Sequence, residues 1–439
     1  TGAIGFFDQT GDFERGLVLL EAAFELEPEL TLFRVGLANR LAALGREKEG
    51  EQLLLDATEI ANASLSARAW VDLAQFHHAR GDHSAAADDL LRAIEILRPV
   101  EVPSEQLLFQ YADALVAANR LDEAVEAAAD LSVPVQRSLI EARVAQERGR
   151  FAEALAGFDE ALRLWPNNAS ARYYTARAAE TLGDFDRALE EYRYAIRIDP
   201  GATDARTRAA ELLIAQNQHT LAHQLLFLEV GPHPLEVEGE ILAMYLLGRL
   251  GSPAQLQQEL LELAPRRPDR IAEALARGAE GAAELAGPGA ALSLLSGMPG
   301  IDYSKPHAAP ALRAFVRFAH DAGKPAIAAQ LVEESLAKDP DSPVFAELRA
   351  QHLGRSGAPR ETVEAAYAQA LELDPDNAVA LAAMARLVEG TTPAEAIRLY
   401  DAAARADERD VTSRVAAARL LAALDRRNEA VSRLDAVLI

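Results

Sequence analysis

One spacing constrains this chain more than any other feature. The stretch Gly183–Pro200 reads GDFDRALEEYRYAIRIDP, and Gly149–Pro166, 34 residues earlier, reads GRFAEALAGFDEALRLWP. The small residues Ala154, Ala188 and Ala222 keep that beat, which runs on through Leu256 and Ala290. So do the prolines Pro166, Pro200, Pro234 and Pro268. Self-similarity at this length is the sequence mark of a solenoid, in which each unit buries its apolar face only against its neighbours.

Each unit reads as two helices. From Ser170 to Gly183 the residues Tyr174, Ala178 and Leu182 recur at helical spacing. Gly183 predicts the stop, because glycine accepts the left-handed backbone found there. Asp184 predicts the next N-cap. Ala188, Tyr192 and Ala195 form the second stripe. Pro200 closes the unit, since its ring blocks further helix. The alanines mark places where helices approach too closely for larger side chains, with the aromatic filling the space beside them.

These residues resemble the tetratricopeptide repeat, a 34-residue helix–turn–helix. The likeness rests on Ala176 or Ala178, Gly183, Ala188, Tyr192, Ala195 and Pro200, and on Ala142, Gly149, Ala154, Phe158, Ala161 and Pro166 in the unit before. It extends N-terminally through Ala124, Ala86, Gly50 and Gly16, and C-terminally through Ala328, Val363, Ala396 and Ala430. The resemblance implies an all-α fold, a right-handed superhelical α-solenoid of about thirteen units. Its long, degenerate, alanine-rich character is similar to bacterial arrays that act as periplasmic scaffolds in exopolysaccharide secretion.

The beat slips at Arg98–Ser104, at Ala129–Pro134 and at Gly287–Pro310. The expected organisation is an N-terminal array over 1–286, an irregular Gly/Pro-rich connection and candidate hinge over 287–308, and a C-terminal array over 309–439. The uncharged run Leu285–Ile301 is broken by glycines and prolines and is read as loops. Gly278, Gly281, Gly287 and Gly289 are read as loop formers. Both ends read as cut: GFFDQTGDF as the end of a first helix, Leu438 and Ile439 as the inside of a second. An apolar C-terminal edge of that kind suits end-to-end association.

Composition narrows the function. The formal net charge of −24 opposes a nucleic-acid surface. The excess is concentrated at the start, where residues 1–66 carry 12 acids against 5 bases. With no cysteine, disulfides, thiolate metal sites and cysteine nucleophiles are excluded, and a periplasmic or cell-envelope setting is favoured over a cytoplasmic one. No catalytic motif is present: no GxSxG, no HExxH, no phosphate loop. No cofactor and no metal are expected. His219 and His223 lie one helical turn apart without an acidic neighbour in sequence. His77, His78 and His83 are read as exposed turn residues, Trp165 as a seam-covering side chain, and Asp376 or Asn377 as a helix cap.

The resemblance places partners on the concave face, lined by first helices. Its groove positions here are Gln136, Leu139, Arg143 and Gln146; Tyr173, Arg177 and Glu180; Asp204, Arg208 and Glu211; Tyr245; and Arg313, Arg317 and His320. Arg143, Tyr173 and Arg177 read as an anion-plus-aromatic patch. The lysine-and-asparagine set with which the family clamps chaperone carboxylates is absent. The expected function is a non-enzymatic scaffold that holds a peptide segment or helix of a partner protein. Two alternatives compete: the docking region of a larger enzyme, and a polysaccharide-binding periplasmic scaffold.

Overall fold

The computed structural model describes residues 13–27, 30–201, 203–228, 235–407 and 410–435. Among them there are twenty-five α-helices, one short 3-10 turn and no strand. No described helix is long and apolar enough to cross a membrane. The chain divides into two compact units, residues 1–236 and 237–439. Pro234 and both chain ends, with the GFFDQTGD stretch and Leu438–Ile439, lie outside the described residues.

The first unit holds α1 (Phe13–Leu26), α2 (Thr31–Ala43), α3 (Glu47–Thr58), α4 (Ala63–His78), α5 (His83–Leu97), α6 (Glu105–Ala117), α7 (Leu121–Ala129), α8 (Pro134–Glu147), α9 (Phe151–Leu164), α10 (Ala169–Thr181), α11 (Phe185–Ile198), α12 (Ala205–Ala215) and α13 (His219–Leu226). The second holds α14 (Val237–Arg249), α15 (Pro253–Leu263), α16 (Ile271–Ala286), α17 (Pro288–Gly297), α18 (Ala309–Asp321), α19 (Pro325–Lys338), α20 (Pro343–Arg355), α21 (Arg360–Leu373), α22 (Ala378–Val388), α23 (Pro393–Ala406), α24 (Val411–Ala423) and α25 (Arg427–Asp435). Even-numbered helices are first helices of a unit repeat and odd-numbered ones second helices.

Within each unit every helix packs on the next in sequence, as short connections dictate. Among the described residues, the extensive helix-to-helix contacts that skip a helix are between first helices: α2 with α4, α6 with α8, α8 with α10, α14 with α16, α16 with α18, α18 with α20. No second helix makes a comparable contact with another second helix. First helices therefore crowd together on the inside of the bend, and each unit curves towards its first-helix face.

The expected second-helix stripe is core, whereas in the first-helix stripe Ala178 is buried, Tyr174 half-buried and Leu182 exposed. Ala154, Phe158 and Ala161 on α9, and Ala188, Tyr192 and Ala195 on α11, are all nearly inaccessible to solvent. The small–aromatic–small pattern returns as Ala396, Tyr400 and Ala403 on α23. Gly183 has φ +80° and ends α10 as expected, and Asn119, Asn217 and Asp425 take the same left-handed position at their own turns. The Asp184 side chain accepts from the Arg187 amide at 3.2 Å, and Asn377 from Ala380 at 3.0 Å, so both expected caps form.

Several expectations are corrected. Residues 287–308 are not irregular throughout: they contain α17, with Pro288 in its first turn where the lost amide costs nothing. The run Leu285–Ile301 is thus partly helical. Gly278 and Gly281 are not loop formers but lie inside α16, against α14. A Cβ on Gly248 would stand 2.0 Å from the Gly278 carbonyl oxygen, and one on Gly281 2.1 Å from that of Tyr245. The glycines exist to bring two backbones together, which is why this repeat looks degenerate in sequence. Trp165 is 43% exposed and covers little. His77 is held between two carboxylates rather than free in solvent: its Nδ1 lies 2.6 Å from Asp89 and its Nε2 3.4 Å from Glu51.

Candidate functional site

The inner face of the first unit, expected to carry the exposed patch, is largely self-neutralised. Arg143, on α8, is buried. Its guanidinium pairs with Asp113 of α6 and stacks 4.3 Å from the ring centre of Tyr174. Burial lowers its pKa, the cost of bringing a cation into a packed seam. Tyr173, on α10, is also buried; burial first, and the Asp204 carboxylate second, push its hydroxyl pKa up. Arg143 and Tyr173 therefore join neighbouring repeats, which corrects their reading as an exposed contact patch.

Glu180 accepts from the Tyr192 hydroxyl at 2.6 Å, and Arg208 sits 3.7 Å from Glu180 and 3.1 Å from Asp204. These expected groove residues are brought together, but chiefly to satisfy one another. Arg177 is the exception. It is half-buried beside Arg143 and Tyr173, and no carboxylate among the described residues pairs with it.

The second unit is arranged differently. Tyr245 is buried and donates to Glu284 at 2.8 Å, with its pKa pushed up to about 12 by burial and by that bond. Next to it on the inner face, α16, α18, α20 and α22 surround a depression of about 410 Å³. Arg313, Arg317, Arg355 and Arg386 line it, with Glu280 and Tyr367.

Each arginine but one is held by a single terminal nitrogen. Arg313 Nη2 meets Glu347 at 2.5 Å, Arg317 Nη2 meets Glu280 at 3.1 Å, and Arg355 Nη1 meets Asp321 at 3.4 Å. Glu347 is fully buried, and burial raises its pKa against the pull of Arg313. Glu280 is shared with Arg277 at 2.5 Å. Arg386 pairs with no carboxylate among the described residues, and the buried Nε of Arg313 has no partner. Burial pushes the Tyr367 hydroxyl up to about 12, so it stays protonated at neutral pH.

Of these residues Arg313 and Arg317 were legible from the sequence, and Arg355, Arg386, Glu280 and Tyr367 were missed. The 34-residue beat carries Arg317 to Gln351 and then to Ala385, one residue short of Arg386, so a strict period misses it. A larger cavity of about 650 Å³ lies where α15 and α17 meet the ends of α14 and α16. Its walls are mostly Gly, Ala and Leu, and Ser293 and Gln257 are its polar side chains. It gathers no charge. Among the described residues no group of three or more His, Asp or Glu is placed to hold a metal, and His223 stacks on Phe227 at 4.4 Å.

Two family models, both described as tetratricopeptide repeat, match residues 141–203 and 180–228. These spans are α8 to α13, where the two-helix unit, the glycine stop and the small–aromatic–small stripe are plainest. Residues 141–228 of this chain are tetratricopeptide repeats. No curated protein sequence matches it. Similar solved structures of this helical-repeat kind include yeast Tom70 (TM-score 0.37, 15% identity, 99% of this chain and 90% of that one). Others are a human IFIT1 dimer (0.34, 16%, 88% and 93%) and MamA from Desulfovibrio magneticus RS-1 (0.26, 16%, 36% and 90%). Such distant likenesses carry no argument about the partner of this chain.

Proposed function

We propose that this protein is an interaction scaffold, and that the inner face of its second unit is the principal surface on which a partner protein docks. One observation supports this most directly. The inner face of the first unit pairs most of its own charges, whereas that of the second gathers four arginines round an open depression and leaves donors unused. A guanidinium carries five N–H donors in a fixed fork, and a partner's oxygens can use those the fold does not. First helices offer rigid backbones for such a site, so binding need not first order the surface.

The test is site-directed photocrosslinking in the native source. A photoreactive residue at Gln351, on the inner face, is expected to trap a partner protein. The same residue at Gln330 or Glu364, on second helices α19 and α21, is expected to trap none. Crosslinks from the second-helix positions alone would sink the reading.

A further inference from the structure

We propose that the arginine-lined depression of the second unit is a receptor for a phosphorylated side chain of a partner protein. The proposal rests on the docking reading above and names the chemistry that face would select.

Three observations lead to it. The cations of the depression are all arginines, spread over three successive first helices rather than strung along one. Arginine grips planar or tetrahedral oxyanions through two N–H groups at once, which lysine cannot do. Second, the donors outnumber the acceptors that the fold supplies. Arg313, Arg317 and Arg355 each spend one terminal nitrogen on a resident carboxylate, and Arg386 spends none among the described residues. The buried Tyr367 of α21 also lines the depression.

Third, the local charge is positive in a strongly acidic chain. The one lining carboxylate, Glu280, is already shared between Arg317 and Arg277. The carboxylate that holds Arg313 is fully buried beneath it and cannot meet a ligand. Counting Arg277, five arginines stand here against three carboxylates, Glu280, Glu347 and Asp321, an excess of two positive charges. A phosphate monoester brings nearly two negative charges and three acceptor oxygens, while a carboxylate brings one charge and two oxygens. Both can enter, but only the phosphate uses the surplus of donors and of charge together.

The experiment uses the full chain and three immobilised peptide libraries with random flanks. Their central residue is phosphoserine, glutamate or serine. Retention on the phosphoserine library is expected to exceed that on the other two by about tenfold or more, since each charge-assisted bond contributes roughly that factor. Arg386→Ala and Arg317→Gln are expected to abolish the difference. Arg398→Ala, an exposed arginine on a second helix, is expected to leave it unchanged. Thermal melting of each variant shows that the fold is retained.

Equal retention on the glutamate and phosphoserine libraries would overturn the proposal in favour of an acidic segment. Phosphoserine retention that survives both arginine changes would place the site elsewhere and overturn it as well. If no library is retained but Gln351 still crosslinks a partner, the phosphate inference fails and the docking reading stands. If neither occurs, both fail.

Discussion

Replacing Gly248 by alanine tests the packing logic of the second unit most sharply, because two well-measured effects oppose each other there. Gly248 lies inside α14. By helix propensity alone the change favours folding by about 1 kcal/mol. The added Cβ, however, would stand 2.0 Å from the Gly278 carbonyl oxygen and 2.9 Å from the Ala282 amide nitrogen, both backbone atoms of α16. Ordinary contact needs about 3.5 Å, so the helices must separate by more than about 1 Å. Side-chain rotation cannot relieve a clash with backbone.

A separation of that size forfeits a large share of the dispersion contact along the seam, and overpacking of this kind costs about 1–3 kcal/mol or more. After the propensity gain, a net loss of about 2 kcal/mol is expected. For a unit of this length that lowers the midpoint by about 4–8 °C. Differential scanning calorimetry reads it, with Gly354→Ala as control. Gly354 is also helical, but its Cβ would meet only Val363 Cγ1 at 3.6 Å, an ordinary contact. The control is expected to melt unchanged or slightly higher. If Gly248→Ala also melts unchanged or higher, the close approach of α14 and α16 is not what the glycines serve.

Other outcomes follow from the same structure. Arg143→Ala is expected to cost the first unit about 2 kcal/mol, read by urea unfolding, because it leaves a hole in the seam and Asp113 without its partner. Asn377→Ala is expected to cost about 1 kcal/mol through the lost cap of α22, read as a lower melting midpoint. His77 has a pKa raised by its hydrogen bond to Asp89, then by Glu51, against the opposing effect of burial. Its stabilising contribution is therefore complete below about pH 6.5, the unfolded value, and is lost as pH rises through the folded one. The difference in midpoint between the native chain and His77→Gln is expected to shrink over that rise; a constant difference would refute the pairing.

Much of the fold was legible because a solenoid repeats its constraints. The glycine stop at Gly183, the caps Asp184 and Asn377 and the stripe Ala188–Tyr192–Ala195 each recur, so an isolated ambiguity is settled by the next copy. Legibility failed where local rules were overridden by packing. Gly278 and Gly281 carry a loop former's propensity, and only the backbone of α14 explains why they sit in a helix. Pro288 ends one helix by starting another. The site was less legible for a different reason. Periodicity says which residues face inward, not whether a neighbouring helix buries them. Arg143 and Arg317 occupy inner faces alike, yet one lies beneath Tyr174 and the other lines an open depression.

That contrast bears on how one scaffold can hold two kinds of inner face. From α6 to α12 the inward charges of neighbouring first helices oppose one another: Asp113 of α6 answers Arg143 of α8, and Glu180 of α10 answers Arg208 of α12, which Asp204 at the start of α12 also holds. The pairs Asp113–Arg143 and Glu180–Arg208 lie across seams and contribute to the register of the repeats, whereas Asp204 holds Arg208 within its own helix. On α18, α20 and α22 the acceptor for Arg313 lies on the adjacent helix but fully beneath the surface, so it fixes the arginine without cancelling its outward donors. Arg386 has no such acceptor among the described residues. A cation left in this state costs little only while water solvates it, and a partner that displaces the water must supply oxygens in its place. Exchanging Glu347 for glutamine removes the buried charge and leaves one oxygen where Arg313 and Gln351 each now donate to one. If the depression selects anions, that exchange is expected to strengthen retention of an acidic partner, whereas a purely structural role for the pair predicts lost stability with no gain in binding.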